Sequence, residues 1–456
     1  METISSIIQA CNDVVWGAPM LIMLFGTHLF LTIRLKFIQR HTFKAIKLSV
    51  TPDDGSTGDI SQFGALATAL AATIGTGNII GVSTAVALGG PGAVMWCWLT
   101  GVFGIATKYG EALLAVKYRV KNSRGTMIGG PMYAIERGLG WKWLAILFCV
   151  ITIFATFGAG CTVQSHAIAG VIESTFHVDP VVSGFIITVL TAFVILGGVK
   201  SIASVCEKLV PFMSLFYIVG CFAILCMNHE FVVPALVLIV KSAFSAQAAA
   251  GGFIGSTVML ACRYGVARGL FSNESGLGTA PIAAASAQTK NPVRQALVSM
   301  TGTFWDTVVV CAMTGIVIVS SVMSAPEKFA GAGGDALTQM AFAQLPYVGS
   351  YILAIALSVF AFTTILGWSY YGERCVEYVF GYSGTMVYRI AFLVILFVGS
   401  FTSLDIVWGF ADLMNGLMAF PNLVSLLLLS GVIVKETKHY LWDNNLDEVA
   451  EEESVK

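Results

Sequence analysis

The sequence predicts an all-α integral membrane protein with about eleven transmembrane helices: one extra N-terminal helix, then two inverted blocks of five. Three observations predict this fold. Of the 456 residues, 56% are hydrophobic and only 11% are charged, against roughly 25% in an ordinary soluble domain, and the mean hydropathy is +0.81. Apolar stretches of roughly 20 residues recur along the whole chain. Two of these stretches are interrupted by glycines near their middles.

Each apolar stretch is long enough to cross a bilayer as a helix. The expected spans are 14–35, 62–89, 92–118, 143–171, 180–197, 204–227, 248–276, 295–322, 348–371, 385–403 and 405–434. Because each block after the first span holds an odd number of helices, the two blocks insert upside-down relative to each other. The expected division is an extra helix with a basic loop (1–59), a first repeat (60–229), a second repeat (230–436) and an acidic tail (437–456).

Charged residues indicate how the chain is oriented. The first stretch is preceded by Glu2 and Asp13 and followed by basic residues, so it is expected to be an uncleaved anchor with its N terminus outside. Of the basic residues on loops, only Lys241 and Lys328 lie on those expected to be external. This positive-inside bias places the C terminus in the cytoplasm.

The glycine interruptions predict two broken helices. The first reads Gly75-Thr76-Gly77-Asn78, and the second covers residues 251–256 and includes Phe253. An unpaired backbone group at membrane depth costs several kcal/mol, so such a break persists only where protein or a polar ligand satisfies it. Paired breaks in two halves of a chain indicate a transporter binding site. Close packing of glycine-rich helices is the alternative.

The first break suits two ligands at once. Carbonyl oxygens that end the first half-helix can bind a hard cation, while N–H groups that begin the second half-helix, at its positive dipole end, can face a carboxylate. An amino acid together with Na⁺ fits both. Thr363 and Thr364, in the middle of a later span, offer two hydroxyls to the same kind of cation, although membrane threonines often bond back to the carbonyl at i−4. Trp368 lies one turn further and is interpreted as a pocket wall or an interface anchor.

Other polar residues inside the spans are candidates too. The amide of Gln164 could accept from a substrate ammonium, or form a helix–helix hydrogen bond. Asp306 is an isolated intramembrane acid, which could take part in cation or proton coupling or could neutralise a nearby arginine, Arg263 or Arg268. Lys108 and Glu111 are expected to form an i,i+3 ion pair.

Three stretches of the chain resemble the alanine/glycine:cation symporter family of Na⁺-coupled prokaryotic carriers. They are residues 65–79 (ALATALAATIGTGNI), 108–119 (KYGEALLAVKYR) and 272–281 (SNESGLGTAP). The resemblance covers nearly the whole chain. It implies a fold like that of the bacterial leucine transporter, with a five-plus-five inverted repeat and one extra N-terminal helix, in a prokaryotic cytoplasmic membrane.

The same resemblance implies ligands. The N–H groups of Thr76 and Gly77 would meet the substrate carboxylate. Trp368 would shorten the side-chain pocket until only alanine or glycine fits, and Phe253 would cap it. A sodium ion would be held by main-chain carbonyls and two hydroxyls, from Ala71, Ile74, Phe360, Thr363 and Thr364. Asn78 would belong to the substrate site and to a second sodium site whose other ligands are not identified.

The expected function is therefore sodium-coupled import of alanine and/or glycine by alternating access, with the bilayer, the amino acid and Na⁺ as partners. A proton-coupled amino-acid permease with Asp306 as the protonatable group is the alternative. No symmetric filter or ring of charges indicates a channel. The six histidines are too dispersed to suggest an enzyme's metal centre. No cofactor besides the coupling ion and no nucleic-acid partner is expected.

Overall fold

The computed structural model describes residues 2–51, 57–245, 257–334, 336–402 and 404–450, and this part of the chain is mostly helical. The main helices, in chain order, are α1 Glu2–Val15, α2 Ala18–Arg34, α3 Thr42–Ser49, α4 Gln62–Thr73, α5 Gly77–Gly89, α6 Gly92–Lys117, α7 Lys142–Phe176, α8 Pro180–Leu196, α9 Gly198–Met227, α10 His229–Phe244, α11 Val258–Asn273, α12 Ala280–Ala284, α13 Pro292–Ser324, α14 Ala336–Phe342, α15 Gly349–Phe380, α16 Ser383–Gly399, α17 Leu404–Leu428 and α18 Ser430–Thr437. Each predicted apolar stretch overlaps at least one of these helices, and the stretch 62–89 holds two, α4 and α5. A small antiparallel sheet, β1 Val120–Lys121 with β2 Met127–Ile128, follows α6.

Length and apolar composition agree with a membrane-spanning fold. Among the described residues, five helices are long and apolar enough to cross a bilayer, or up to seven if each of two bent pairs counts as one span. The bent pairs are α1 with α2, at 46°, and α4 with α5, at 49°; α8 and α16 are shorter apolar helices. The second bent pair is the first of the two breaks expected from the sequence.

Small residues let the helices around this break approach closely. A Cβ on Gly367 of α15 would lie 2.6 Å from the Cβ of Ala72 in α4. A Cβ on Gly269 of α11 would lie 2.1 Å from the hydroxyl oxygen of Thr100 in α6. Real Cβ atoms do not come that near, so only glycine permits these backbone-to-helix contacts. Such contacts bring α15 against α4 and α11 against α6.

Three π-helical turns surround the break. They are Gly77–Gly81 at the start of α5, Gly158–Thr162 within α7 and Phe304–Cys311 within α13. A π turn disturbs the regular hydrogen-bond ladder and redirects the side chains beside it, and such turns are frequent at functional sites. Their meeting at one place identifies the region to examine for ligand binding.

Candidate functional site

The break between α4 and α5 leaves backbone groups in the protein interior. Ile74 has an extended backbone, with ψ of 93°. The Gly75 N–H donates to Asn78 Oδ1 at 2.9 Å, and the Thr76 N–H lies 3.5 Å from Gln164 Oε1. The Thr76 hydroxyl is fully buried and has no hydrogen-bond partner in the described part of the chain. The start of α5 thus presents a weakly satisfied N–H and an unpartnered hydroxyl at the positive end of a helix dipole.

A cluster of oxygen atoms adjoins the break. The hydroxyl oxygen of Thr364 lies 3.1 Å from the carbonyl oxygen of Ala71, 3.4 Å from that of Ile74 and 3.0 Å from that of Phe360. One hydroxyl has one hydrogen to donate, so three carbonyl oxygens around it are more than it can satisfy. The back-bond to i−4 is present, since Phe360 precedes Thr364 by four residues. It accounts for only one of the three contacts, and the other two come from α4 and the residue after it.

Thr363 lies at the edge of this oxygen cluster. Its hydroxyl donates to the Phe360 carbonyl at 2.9 Å and lies 3.4 Å from Met213 Sδ. The cluster has no room for an added methyl group on the other side, because a Cβ on Gly75 would lie 2.3 Å from Thr364 Oγ1. The sequence-predicted cation ligands are therefore brought together, with Thr364 more central than Thr363.

Gln164 connects α7 to the break. Its Nε2 donates to the carbonyl of Ala159 at 2.9 Å, within the π turn of the same helix. That bond orients the amide so that Oε1 faces the N–H of Thr76, as noted above. Gln164 therefore does connect two segments by a hydrogen bond, as the alternative expected. Its partner is the N–H of Thr76 in the broken backbone, not a residue of a second regular helix.

Trp368 is a wall of this region rather than an interface anchor. Its side chain is only 3% exposed, and its ring packs edge-on against Tyr371 at 6.0 Å between ring centres. A Cβ on Gly160 would lie 2.2 Å from the Cβ of Trp368, so α7 and α15 touch here without an intervening side chain. Trp368 therefore lies against Gly160, and Gln164 bonds to Ala159, the neighbouring residue of the same π turn.

Asp306 forms a second polar cluster with Asn78. The carboxylate accepts from Asn78 Nδ2 at 2.7 Å, Ser272 Oγ at 2.9 Å and Thr307 Oγ1 at 2.5 Å, and all four residues are fully buried. Each donor is neutral. A buried carboxylate whose hydrogen-bond donors are all neutral is typical of a site that receives a cation or a proton.

The alternative that Asp306 neutralises an arginine is wrong. Arg263 instead pairs with Asp13 at 2.5 Å. Arg268 makes two bonds to Asp412, at 2.8 and 3.0 Å. Both arginines lie on α11, and each already has an acidic partner on another helix, Asp13 on α1 and Asp412 on α17.

The second expected break, 251–256 with Phe253, lies outside the described residues. Within them, α11 is unbroken from Val258 to Asn273, and an irregular stretch follows it at residues 274–279. Glu274, Gly276 and Gly278 there have positive φ, of 55°, 106° and 83°. A Cβ on Gly77 would lie 3.0 Å from Cδ1 of Phe271 and 3.2 Å from Cα of Ser272, so the end of α11 touches the first break.

Phe271 and Ser272 are thus residues of this region that sequence reasoning missed. The available signal was the turn-forming string SNESGLG, which directly follows Phe271 and begins with Ser272.

The expected ion pair between Lys108 and Glu111 does not form. Glu111 Oε1 accepts from the N–H groups of Gly276 and Gly278, at 2.9 and 3.1 Å, and from Asn422 Nδ2 at 2.6 Å. Lys108 Nζ has no hydrogen-bond partner in the described part of the chain. The N–H groups of Gly276 and Gly278 thus take the place of Lys108 as partners of Glu111. Without the carboxylate, both N–H groups would be buried and unsatisfied.

Comparisons with known proteins extend over the whole sequence. The family model described as the sodium:alanine symporter family matches residues 1–454. The sodium/alanine symporter AgcS of Methanococcus maripaludis is 51% identical over 442 residues, which cover 95% of this chain and 97% of that one. An uncharacterized transporter of Haemophilus influenzae is also 51% identical, over 459 residues and the full length of both.

Solved structures show the same fold. The crystal structure of MhsT in complex with L-phenylalanine superimposes with a TM-score of 0.57 at 14% identity, over 86% of this chain and 92% of that one. The leucine-transporter fold expected from the sequence is confirmed, and the relatives are transporters rather than enzymes. The chain is a multi-pass membrane protein that belongs to the sodium:alanine symporter family.

Proposed function

We propose that this protein is a sodium-coupled symporter that imports alanine and/or glycine by alternating access between the repeats 60–229 and 230–436. One observation carries the proposal: the carbonyl of Ile74 belongs to the oxygen cluster around Thr364, and two residues later the N–H of Thr76 faces Gln164. The cation and carboxylate positions therefore share one short piece of backbone. Binding at either position orders that backbone for the other, which is the physical basis of coupled transport.

The amino acid takes the start of α5. Its carboxylate meets the N–H groups of Thr76 and Gly77, where the dipole of α5 favours a negative group. The oxygen of Gln164 accepts from the ammonium. Trp368 is buried against Gly160 and occupies space that a branched side chain would need, which favours alanine and glycine. Among the described residues, Phe271 places an aromatic ring beside Gly77.

The cotransported sodium takes the oxygen cluster. Its ligands are the carbonyl oxygens of Ala71, Ile74 and Phe360 and the hydroxyls of Thr363 and Thr364. Neutral oxygen ligands of this kind suit a hard monovalent cation. In the sodium-bound protein the Thr364 hydrogen turns away from the three carbonyls, so each of them gains a positive partner in place of a shared one.

A second cation site lies around Asn78, Ser272 and Asp306. Every hydrogen-bond donor to Asp306 is neutral, so none of them neutralises the negative charge of its buried carboxylate. A bound cation or a proton would neutralise it. A proton there defines the competing function, a proton-coupled permease of the same fold. The two differ in whether uptake follows the sodium gradient or the proton gradient.

We also propose a cytoplasmic-membrane location in a prokaryotic cell, with the N terminus outside and the C terminus in the cytoplasm. The basic loops support this orientation. A cysteine placed after Lys456 should not react with an impermeant reagent in intact cells, whereas one placed before Glu2 should.

The function is tested with purified protein in liposomes. Labelled alanine, glycine and leucine are offered under an inward Na⁺ gradient, an inward proton gradient with choline in place of Na⁺, or neither. Alanine and glycine should enter only with Na⁺, and leucine should not compete. Equal uptake in choline would refute sodium coupling, and uptake driven by protons alone would establish the permease.

A further inference from the structure

A small cavity lies beside the two irregular stretches and is not part of the site described above. Its polar lining residues are Thr73, Lys108, Asn273 and Ser299, and small apolar residues of α4, α6, α12 and α13 complete it. Its volume is about 10 Å³, which is room for roughly one water molecule. We call it the Lys108 cavity.

The Lys108 cavity is lined by hydrogen-bond donors that lack acceptors. Lys108 Nζ and Asn273 Nδ2 have no partner in the described residues, although their side chains are only 3% and 1% exposed. Asn273 Oδ1 accepts from the Ser275 N–H at 2.8 Å, which fixes the amide so that Nδ2 remains free. Ser299 Oγ accepts from Gln295 Nε2 at 3.1 Å and keeps its own hydrogen to donate.

An unpartnered acceptor lies close to these donors. Glu111 follows Lys108 by three residues on α6, so the two side chains leave the helix on one face. While Oε1 of Glu111 holds the backbone of 276–278, its Oε2 has no partner in the described part of the chain and is buried. A positive donor group beside a negative acceptor matches the two charged ends of an amino-acid zwitterion. Each buried polar group left unpaired destabilises the protein, and such a ligand would recover that free energy.

The position of the Lys108 cavity suggests when it is used. Thr73 is the last residue of α4 before the first break, and Ala280 and Pro281 follow the second irregular stretch. The cavity therefore lies between the first break and the stretch 274–279, on the side that leads to the loop with Lys290, which is cytoplasmic in the proposed topology.

We propose that the Lys108 cavity is a second binding site for a small anionic group, the carboxylate of the transported amino acid, occupied after the substrate leaves the first break towards the cytoplasm. This rests on the proposed amino-acid transport. The ammonium of Lys108 and the amide of Asn273 hold the carboxylate, and Glu111 Oε2 accepts from the substrate ammonium. Because the cavity now fits one water molecule, α4 moves outward from α13 when the substrate enters.

The test compares the two faces of the membrane. Alanine KM is measured on the cytoplasmic face in inside-out vesicles and on the external face in right-side-out vesicles, without a membrane potential. Lys108→Gln should raise the cytoplasmic KM about tenfold, since a charged hydrogen bond to the carboxylate is lost, and leave the external KM within about twofold. Lys117→Gln is the matched control, because Lys117 lies on the same helix α6 and forms a partly buried ion pair with Glu436 of α18, away from the cavity lining.

A second variant covers the case in which Lys108→Gln does not fold. Asn273→Asp keeps the oxygen that accepts from Ser275 and replaces the free donor by an acceptor. It should raise the cytoplasmic KM by a similar factor or more. Replacing chloride by gluconate should change neither face, because the proposed anion is the substrate's own carboxylate.

Four results would overturn the proposal. Unchanged KM on both faces would mean that the cavity holds water only, and an equal rise on both faces would place Lys108 in the shared site. A chloride dependence that disappears in Lys108→Gln would make it a chloride site. If Lys108→Gln shifts the half-saturating Na⁺ concentration equally on both faces, Lys108 acts on sodium binding through its charge and does not bind the substrate. Absence of Na⁺-driven alanine uptake in the unaltered protein would instead refute the proposed function itself.

Discussion

The two irregular stretches of this protein satisfy their backbones in opposite ways. At residues 274–279 the protein supplies its own acceptors, since Glu111 holds two N–H groups and Asn422 bonds both Glu111 and the Gly276 carbonyl. At residues 74–76 the Thr76 N–H has a partner only at 3.5 Å, and the Thr76 hydroxyl has none among the described residues. Residues 274–279 are thus a scaffold that the folded chain itself completes, while residues 74–76 are, in the proposed function, completed by ligands.

The largest expected effect comes from removing the scaffold's acceptor. Glu111→Ala leaves the buried N–H groups of Gly276 and Gly278 without a partner, at about 1–3 kcal/mol each, and leaves the Asn422 amide with only the Gly276 carbonyl as acceptor. Together this is a large fraction of the stability of a typical fold. The detergent-purified variant should show little monodisperse protein and a strongly lowered Tm.

Glu111→Gln is the matched control, because its amide oxygen can still accept from Gly276 and Gly278. It should retain most of the folded yield. If Glu111→Ala is as stable as the unaltered protein, residues 274–279 are not a scaffold and the contrast between the two stretches disappears.

The next effect concerns crowding of the ligand-completed stretch. Gly75→Ala places a methyl group 2.3 Å from Thr364 Oγ1, so either the hydroxyl or the break must move. Overpacking of this kind costs about 1–3 kcal/mol, and we expect a raised half-saturating Na⁺ concentration and loss of most uptake with folding retained. Gly170→Ala, with nothing within 4 Å, should behave like the unaltered protein. A normal half-saturating Na⁺ concentration in Gly75→Ala would show that the oxygen cluster around Thr364 does not bind the coupling sodium.

A smaller, more specific effect distinguishes the two threonines. Thr364→Val removes the hydroxyl that faces three carbonyls, whereas Thr363→Val removes one that faces Phe360 and Met213. Both should raise the half-saturating Na⁺ concentration, Thr364→Val by more. Because sodium and amino acid are linked by one coupling free energy, apparent alanine affinity should recover as Na⁺ rises. Alanine binding measured across a Na⁺ series checks this, and an equal or reversed order of the two variants would contradict the geometry.

Hydropathy and charge predicted the membrane-spanning helices and the first break, because burial in lipid acts on each segment separately. The resemblance to a known family, and not any local pattern, predicted that α15 lies against α4. That packing brings together Ala71, Ile74, Phe360 and Thr364. The irregular stretch at 274–279 was missed. Its stability depends on Glu111, over 160 residues away, which local spacing had paired with Lys108.

The smallest expected change in alanine affinity comes from the pocket wall. Trp368→Phe keeps an aromatic ring against α7 but removes part of the indole that fills the space beside Gly160. Alanine KM should change by no more than a few-fold, because alanine has no side-chain atoms long enough to use the vacated volume. Valine or leucine should now compete, since each buried methylene contributes about 0.8 kcal/mol once it has room. Competition against labelled alanine measures this, with Trp98→Phe, on a partly exposed part of α6, as the control. An unchanged competition profile in a folded, active Trp368→Phe protein would show that the indole does not limit substrate size, and the ring of Phe271 beside the first break would become the next residue to replace.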